Sequence, residues 1–106
     1  MKLRYTPKAL EDLRCLEEYI TINLCNPDAA KHILANILKA CSRLKEQPDI
    51  GLSLSQKTGR DTKMRYIICG KYLAFYLIEA QMISIIRILD SRTNYMKIVF
   101  NEMDSK

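Results

Sequence analysis

Two capping signals near the start of the chain constrain its fold more than any other feature. Thr6-Pro7 and Asn26-Pro27 each place a short oxygen-bearing side chain immediately before a proline. Such a side chain accepts a hydrogen bond from an otherwise unpaired N–H of a helix's first turn. Proline at the first helical position loses nothing by lacking its own N–H. Behind Pro7, residues Leu10, Leu13, Leu16, Ile20 and Leu24 recur at spacings of three and four. That is one face of a helix from Lys8 to about Leu24, with Asp12, Arg14, Glu17 and Glu18 over much of the remainder. Behind Pro27, Ala30, Ile33, Ile37, Cys41 and Leu44 form a second stripe, which Pro48 and Gly51 stop. Two amphipathic helices joined by so short a link fold back on each other as a helical hairpin.

The cover for that hairpin is legible further along. Residues 2–6 alternate and read as a short strand. Lys63–Cys69 and Tyr72–Ile78 are rich in Ile, Tyr, Phe and Leu. Between them Gly70-Lys71 puts glycine at the first position of a two-residue turn, as type II′ geometry prefers. Met82–Asp90 follows a second tight turn at Ala80-Gln81 and makes a third strand. Strand, helical hairpin and three-strand antiparallel meander together predict a two-layer α+β domain over residues 1–100. Thr93 to Phe100 reads as a last helical turn or two, with 101–106 as a frayed tail. Residues 47–62 carry no periodicity and read as a loop, a length at which loops are often functional.

With two-residue turns, Cys69 opposes Tyr72, Arg65 opposes Tyr76, Ile78 opposes Ile83 and Ala74 opposes Arg87. One face then holds Arg65, Ile67, Cys69, Tyr72, Ala74, Tyr76, Ile83, Ile85, Arg87 and Leu89. The other holds Met64, Tyr66, Ile68, Leu73, Phe75, Leu77, Ser84, Ile86 and Ile88. Neither face is polar enough to lie open to water, so the one the hairpin leaves is a candidate partner surface.

Charge narrows the partner. The 106 residues carry a formal charge of +5. Lys57, Arg60, Lys63, Arg65 and Lys71 cluster against Asp61 alone, and Arg87 and Arg92 flank the last strand. This balance favours an anionic partner: RNA, DNA or an acidic protein. Cys15, Cys25, Cys41 and Cys69 form no C-x-x-C pair, and the single histidine, His32, sits among Asp28, Asn36 and Lys39 on the wet side of the second helix. Reduced thiols are expected, with no metal and no cofactor. No apolar run is long enough to cross a membrane and no signal-peptide core precedes the first strand, so a cytoplasmic location is expected.

Five segments, taken in order, point to a family. They are Tyr5-Thr6-Pro7-Lys8-Ala9 with Asp12-Leu13, then Ala29-Ala30, then Pro48-x-x-Gly51, then the run Arg65 to Tyr76, and last the run Ile85 to Tyr95. Over about residues 2–100 they resemble the RelE/ParE superfamily, the toxins of type II toxin–antitoxin (plasmid stabilisation or addiction) systems. The resemblance implies the fold already read, and a cognate antitoxin as partner. It also implies one of two targets. RelE-like members cut messenger RNA on the ribosome with basic side chains and a tyrosine, whereas ParE-like members inhibit DNA gyrase without chemistry of their own.

Residue by residue, the resemblance favours the second. The arginine of RelE-like enzymes falls at Leu73, their lysines near Met64 and Tyr66, and the histidine of YoeB-like members at Asn94. Arg92 and Tyr95 do match, and would be the catalytic residues of a ribosome-dependent endoribonuclease. Cleavage through a 2′-hydroxyl also needs a base and cationic help at the phosphate, for which little remains. The resulting expectation is a ParE-like gyrase inhibitor rather than an enzyme. The alternatives are a RelE-like mRNA endoribonuclease and a non-toxic binding module on the same fold. Met64, Tyr66, Leu73 and Phe75 form the expected partner-binding surface, and Lys57, Arg60, Lys63 and Lys71 a basic patch. Arg65 and Arg87 are either functional or paired structurally with Asp12, Glu17 or Glu18.

Overall fold

The two capping signals act as the chain predicts in a computed structural model, which describes residues 1–59 and 62–104. After β1 (Lys2–Tyr5), the Thr6 side chain accepts a hydrogen bond from the Ala9 N–H at 3.1 Å and starts α1 (Pro7–Asn23). Asn26 does the same for Ala29, also at 3.1 Å, and starts α2 (Pro27–Ser42). The hairpin of α1 and α2 therefore forms as expected. α2 buries Ala30, Ile37 and Cys41, and Leu44 just beyond it, while Ile33 packs at the margin. α1 departs from its predicted stripe. It buries Ala9 and Ile20, half-buries Leu13 and Leu16, and leaves Leu10 and Leu24 exposed. Ala9 lies about 100° around the helix from Leu10, and its small side chain lets α1 approach the sheet closely.

The segment expected to be a loop is partly ordered. Short 3₁₀ turns at Arg43–Lys45 and Pro48–Ile50 lead into β2 (Leu52–Ser53) and α3 (Leu54–Thr58). The meander follows as β3 (Arg65–Cys69), β4 (Tyr72–Glu79) and β5 (Met82–Asp90). A final helix, α4, runs Tyr95–Asp104, past the residue 100 at which the sequence pattern stops it. The five strands form one sheet in the order β1-β5-β4-β3-β2, with β1 parallel to β5 and the other pairs antiparallel. The hydrophobic effect dictates the layering. The helical hairpin covers one face, and α3 and α4 cover part of the other, so the sheet has a core on each side.

The register carries one correction. Cys69 opposes Tyr72, Arg65 opposes Tyr76 and Ile78 opposes Ile83, as expected. Ala74, however, opposes Ile88 rather than Arg87, because a bulge interrupts the β4–β5 ladder. Phe75 pairs with Arg87 and Tyr76 with Ile85, which leaves Ile86 as the extra residue. Beyond it the alternation inverts. Ile88 joins the hairpin-side core and Leu89 the opposite one, the reverse of their predicted faces.

Both turns of the meander are tight. Gly70 takes φ +62°, and Lys71 is not among the residues of positive φ, as a type II′ turn requires. In the second turn Ala80 itself occupies the left-handed region, at φ +52°. Between the layers, burial pushes the thiol of Cys41 up to about 12, with Cys69 adding to the shift.

The stretch before β2 is pinned from the sheet. The Tyr76 hydroxyl donates to the Pro48 carbonyl at 2.7 Å and accepts from the Gly51 N–H at 3.1 Å. Arg65 donates from Nη2 to the carbonyls of Asp49 (3.1 Å) and Gly51 (2.8 Å). Gly51 lies so close to the ring that an added Cβ would overlap the Tyr76 hydroxyl and come within 2.7 Å of Cε1. The ring is fully buried and cannot retreat. Gly51→Ala therefore costs about 3 kcal/mol, through overpacking and the loss of both tyrosine bonds. A thermal melt by circular dichroism shows it as a drop in Tm of more than about 10 °C. Ala80→Gly acts in the opposite direction. Relief of the left-handed alanine outweighs the added flexibility of the unfolded chain by about 0.5 kcal/mol, and Tm rises by roughly 2–4 °C.

Candidate functional site

Met64, Tyr66, Leu73 and Phe75 do come together on one face of the sheet, the face away from the hairpin. They are not an open surface. All four are at most 5% exposed, beneath Leu54 of α3 and Val99 of α4, with Tyr95, Ile98 and Phe100 packed around them. The chain supplies its own cover for the face that the hairpin leaves. Tail residues read as a helical turn or two make a helix of ten residues whose apolar side has nowhere else to go.

An aromatic ladder crosses this site. Phe75 packs, tilted, between Tyr66 (centroids 5.8 Å apart) and Tyr95 (5.7 Å). Lys57 sets its ammonium over both tyrosine rings, 5.4 Å from Tyr66 and 5.2 Å from Tyr95. The neighbouring phenols, Tyr95 before Tyr66, raise the pKa of Lys57 above its ordinary value. The lysine thus holds α3 and α4 together across the ladder through cation–π contact. The sequence marks Lys57 only as one member of a basic patch, and nothing local reveals the two rings it sits on.

The rest of that patch does not form one surface. Lys63 precedes β3 and Lys71 comes after it, so the length of the strand, about 17 Å, separates them. Arg60 lies outside the described residues. Lys71 stands instead near Arg92, at the rim of a cleft between the hairpin and the far end of the sheet. Arg92 and Tyr95 also part company. The Arg92 guanidinium grips Asp90, Nε to Oδ1 at 3.1 Å and Nη2 to Oδ2 at 2.8 Å, and lines clefts with Tyr19 and Tyr72. Tyr95 stacks on the opposite face. No hydrogen bond or ring contact joins them, because Arg92 belongs to the turn after β5 and α4 begins only at Tyr95.

Arg87 takes the structural role. Its Nε and Nη2 meet the two oxygens of Asp12 at 2.8 and 2.9 Å, and both side chains are largely buried. Arg65 finds backbone carbonyls in place of a carboxylate. His32 is exposed, and among the described residues no group of three metal-ligating side chains comes together.

This fold and these residues have known relatives. The family model for the ParE toxin of the parDE type II toxin–antitoxin system matches residues 3–95. The chain belongs to this family. Among solved structures, the ParE-family chain is similar to a component of the chromosomal ParDE toxin–antitoxin system from Pseudomonas aeruginosa. That match has 21% identity and a TM-score of 0.72, and covers 85% of this chain and 95% of that one. It is also similar to a component of the RelBE2 toxin–antitoxin complex from Mycobacterium tuberculosis, at 22% identity and a TM-score of 0.61, covering 84% and 95%. At such identities the likeness carries the fold. No curated protein sequence matches the chain.

In this ParE-family chain the Arg92 hydrogen bonds hold the Asp90 carboxyl below its ordinary value of 3.8. A lowered folded value means that the pair stabilises the fold above about pH 4 and ceases to as pH falls through the lowered midpoint. A carboxyl-detected NMR titration places the Asp90 midpoint below 3.8, and Arg92→Ala returns it toward that value. A midpoint unmoved by the substitution would show that the ion pair does not persist in solution.

Proposed function

We propose that this ParE-family toxin acts by inhibiting DNA gyrase in the cytoplasm and is neutralised by a cognate antitoxin, as a plasmid-stabilisation module requires. One observation carries the reading. The two residues left for RNA cleavage are held apart, Arg92 on Asp90 and Tyr95 in the ladder over Phe75. Leu73, at the position where RelE-like enzymes have an arginine, is buried beneath the chain's own helices and lends the site no charge. A phosphate crowded with developing charge would find neither a base nor a clamp of arginines there. Inhibition by binding asks for neither.

A second reading has one observation in its favour. Lys57 sets its ammonium over the Tyr95 ring, 5.2 Å from its centroid, and a cation beside a phenol is a pairing that RNA cleavage can use. The two readings separate cleanly in vitro. Purified protein added to gyrase and relaxed plasmid should abolish supercoiling at near-stoichiometric amounts, while a translation extract programmed with linear RNA keeps its transcripts intact. Codon-phased cuts that need ribosomes and vanish in Tyr95→Phe would replace the gyrase reading with the nuclease one. Silence in both assays, with no growth arrest on expression, would leave a non-toxic module on the toxin fold.

A further inference from the structure

The far end of the sheet carries a hollow that the aromatic ladder does not use. Two adjoining clefts, of about 340 and 390 Å³, run between the hairpin and the end of the meander. Tyr19, Tyr72 and Arg92 line both, so the clefts form one trough. Its two halves differ in charge. Asp12 and Asp90 stand in the walls of the smaller one. The larger has Lys71 and Arg92 at its rim and no carboxylate among its described lining residues. Its floor is aliphatic, with Ile20 and Ile37 buried and Ile33 half-buried. Cys69 also lines it, and burial pushes that thiol up, so it adds no negative charge at neutral pH.

We infer that the larger half binds a free medium-chain carboxylate, its acyl chain on Ile20, Ile33 and Ile37 and its carboxylate toward Lys71. Three observations select this ligand. The volume of about 390 Å³ falls within the range of roughly 300–1,000 Å³ usual for small-molecule sites. The polar groups of the cleft lie at its rim, over a floor of isoleucines. A peptide or a nucleic acid would lay backbone amides or phosphates across that floor, which cannot pair with them, whereas an acyl chain has none to lay. The charges then give the ligand a direction. Arg92 is already gripped by Asp90, so Lys71 takes the larger share of an anionic head. The two carboxylates of the smaller half turn that head away from it. A second copy of the chain, at +5, would bring like charge to the rim.

The test titrates sodium dodecanoate, below its micellar concentration, into the intact protein carrying carbon-13 on its isoleucine methyls. The signals of Ile20, Ile33 and Ile37 are expected to shift together and saturate, with a Kd of roughly 1 mM or tighter, as a ligand of this size allows. Ile50, exposed before β2 and outside the cleft, should not move. Decanoate, two methylenes shorter, should bind roughly fivefold more weakly. Dodecylammonium, with the same chain and the opposite head, should leave the three signals in place. Lys71→Glu should lose at least fivefold in dodecanoate affinity and Leu52→Glu nothing. Both positions are exposed, and unchanged melting curves verify folding. Shifts that reach Ile50 without saturating, equal binding of dodecylammonium, or undiminished binding by Lys71→Glu would each overturn the inference. Shifts of the same three signals with protein concentration alone, together with a doubled mass in sedimentation, would assign the cleft to a second copy instead.

Discussion

The fold turns on the carboxylate of Asp12. β1 ends at Tyr5, but β5 continues to Asp90, so the later half of β5 leaves the sheet with a bare edge against α1. Unpaired backbone groups buried at such an edge would cost roughly 1–3 kcal/mol each. Thr6 takes the first of them and Asp12 the next, accepting the Ile88 N–H while it holds both guanidinium arms of Arg87. One side chain on the second turn of α1 thereby fixes the helix to the sheet by three charged hydrogen bonds in a largely dry setting. The angle of α1 follows from that attachment, and the trough farther along α1 is the space the angle leaves.

The bulge at Ile86 depends on the same junction. A single extra residue puts Arg87 and Ile88 where Asp12 can reach both, and it also reverses the alternation of the remaining β5 residues. Ile88 then fills the hairpin core and Leu89 the core beneath α4. The arrangement yields a sheet buried on both faces within about a hundred residues. It also closes the face that holds Met64, Tyr66, Leu73 and Phe75.

What could be read from the sequence was local, and what could not was long-range. Thr6-Pro7 and Asn26-Pro27 specify helix starts through bonds made within a single turn, and both held. Gly70 announced its turn for the same reason. Period two, by contrast, counts parity, and in Ile85-Ile86-Arg87-Ile88 nothing distinguishes the residue that will be skipped. The set Met64, Tyr66, Leu73 and Phe75 was legible as a face, but its burial depends on where α4 comes to rest, some thirty residues away. Arg92 and Tyr95 stand three apart, a spacing that makes neighbours on a helix and strangers across a helix start.

The arginines argue for recognition over chemistry. Arg4 bonds the Ser84 hydroxyl, Arg14 pairs with Glu11 and Glu18, and Arg65 grips backbone carbonyls. Arg87 holds Asp12 and Arg92 holds Asp90. These are the side chains whose planar forks suit a phosphate in two-point contact, and here they are committed to acceptors within the chain. The charge still open to a partner resides mainly on lysines such as Lys63 and Lys71, which act as mobile point charges. Point charges steer and complement an acidic protein surface well, and they hold the geometry of a transition state poorly. A chain that turns these five arginines to its own architecture is better suited to binding another protein than to holding a phosphate.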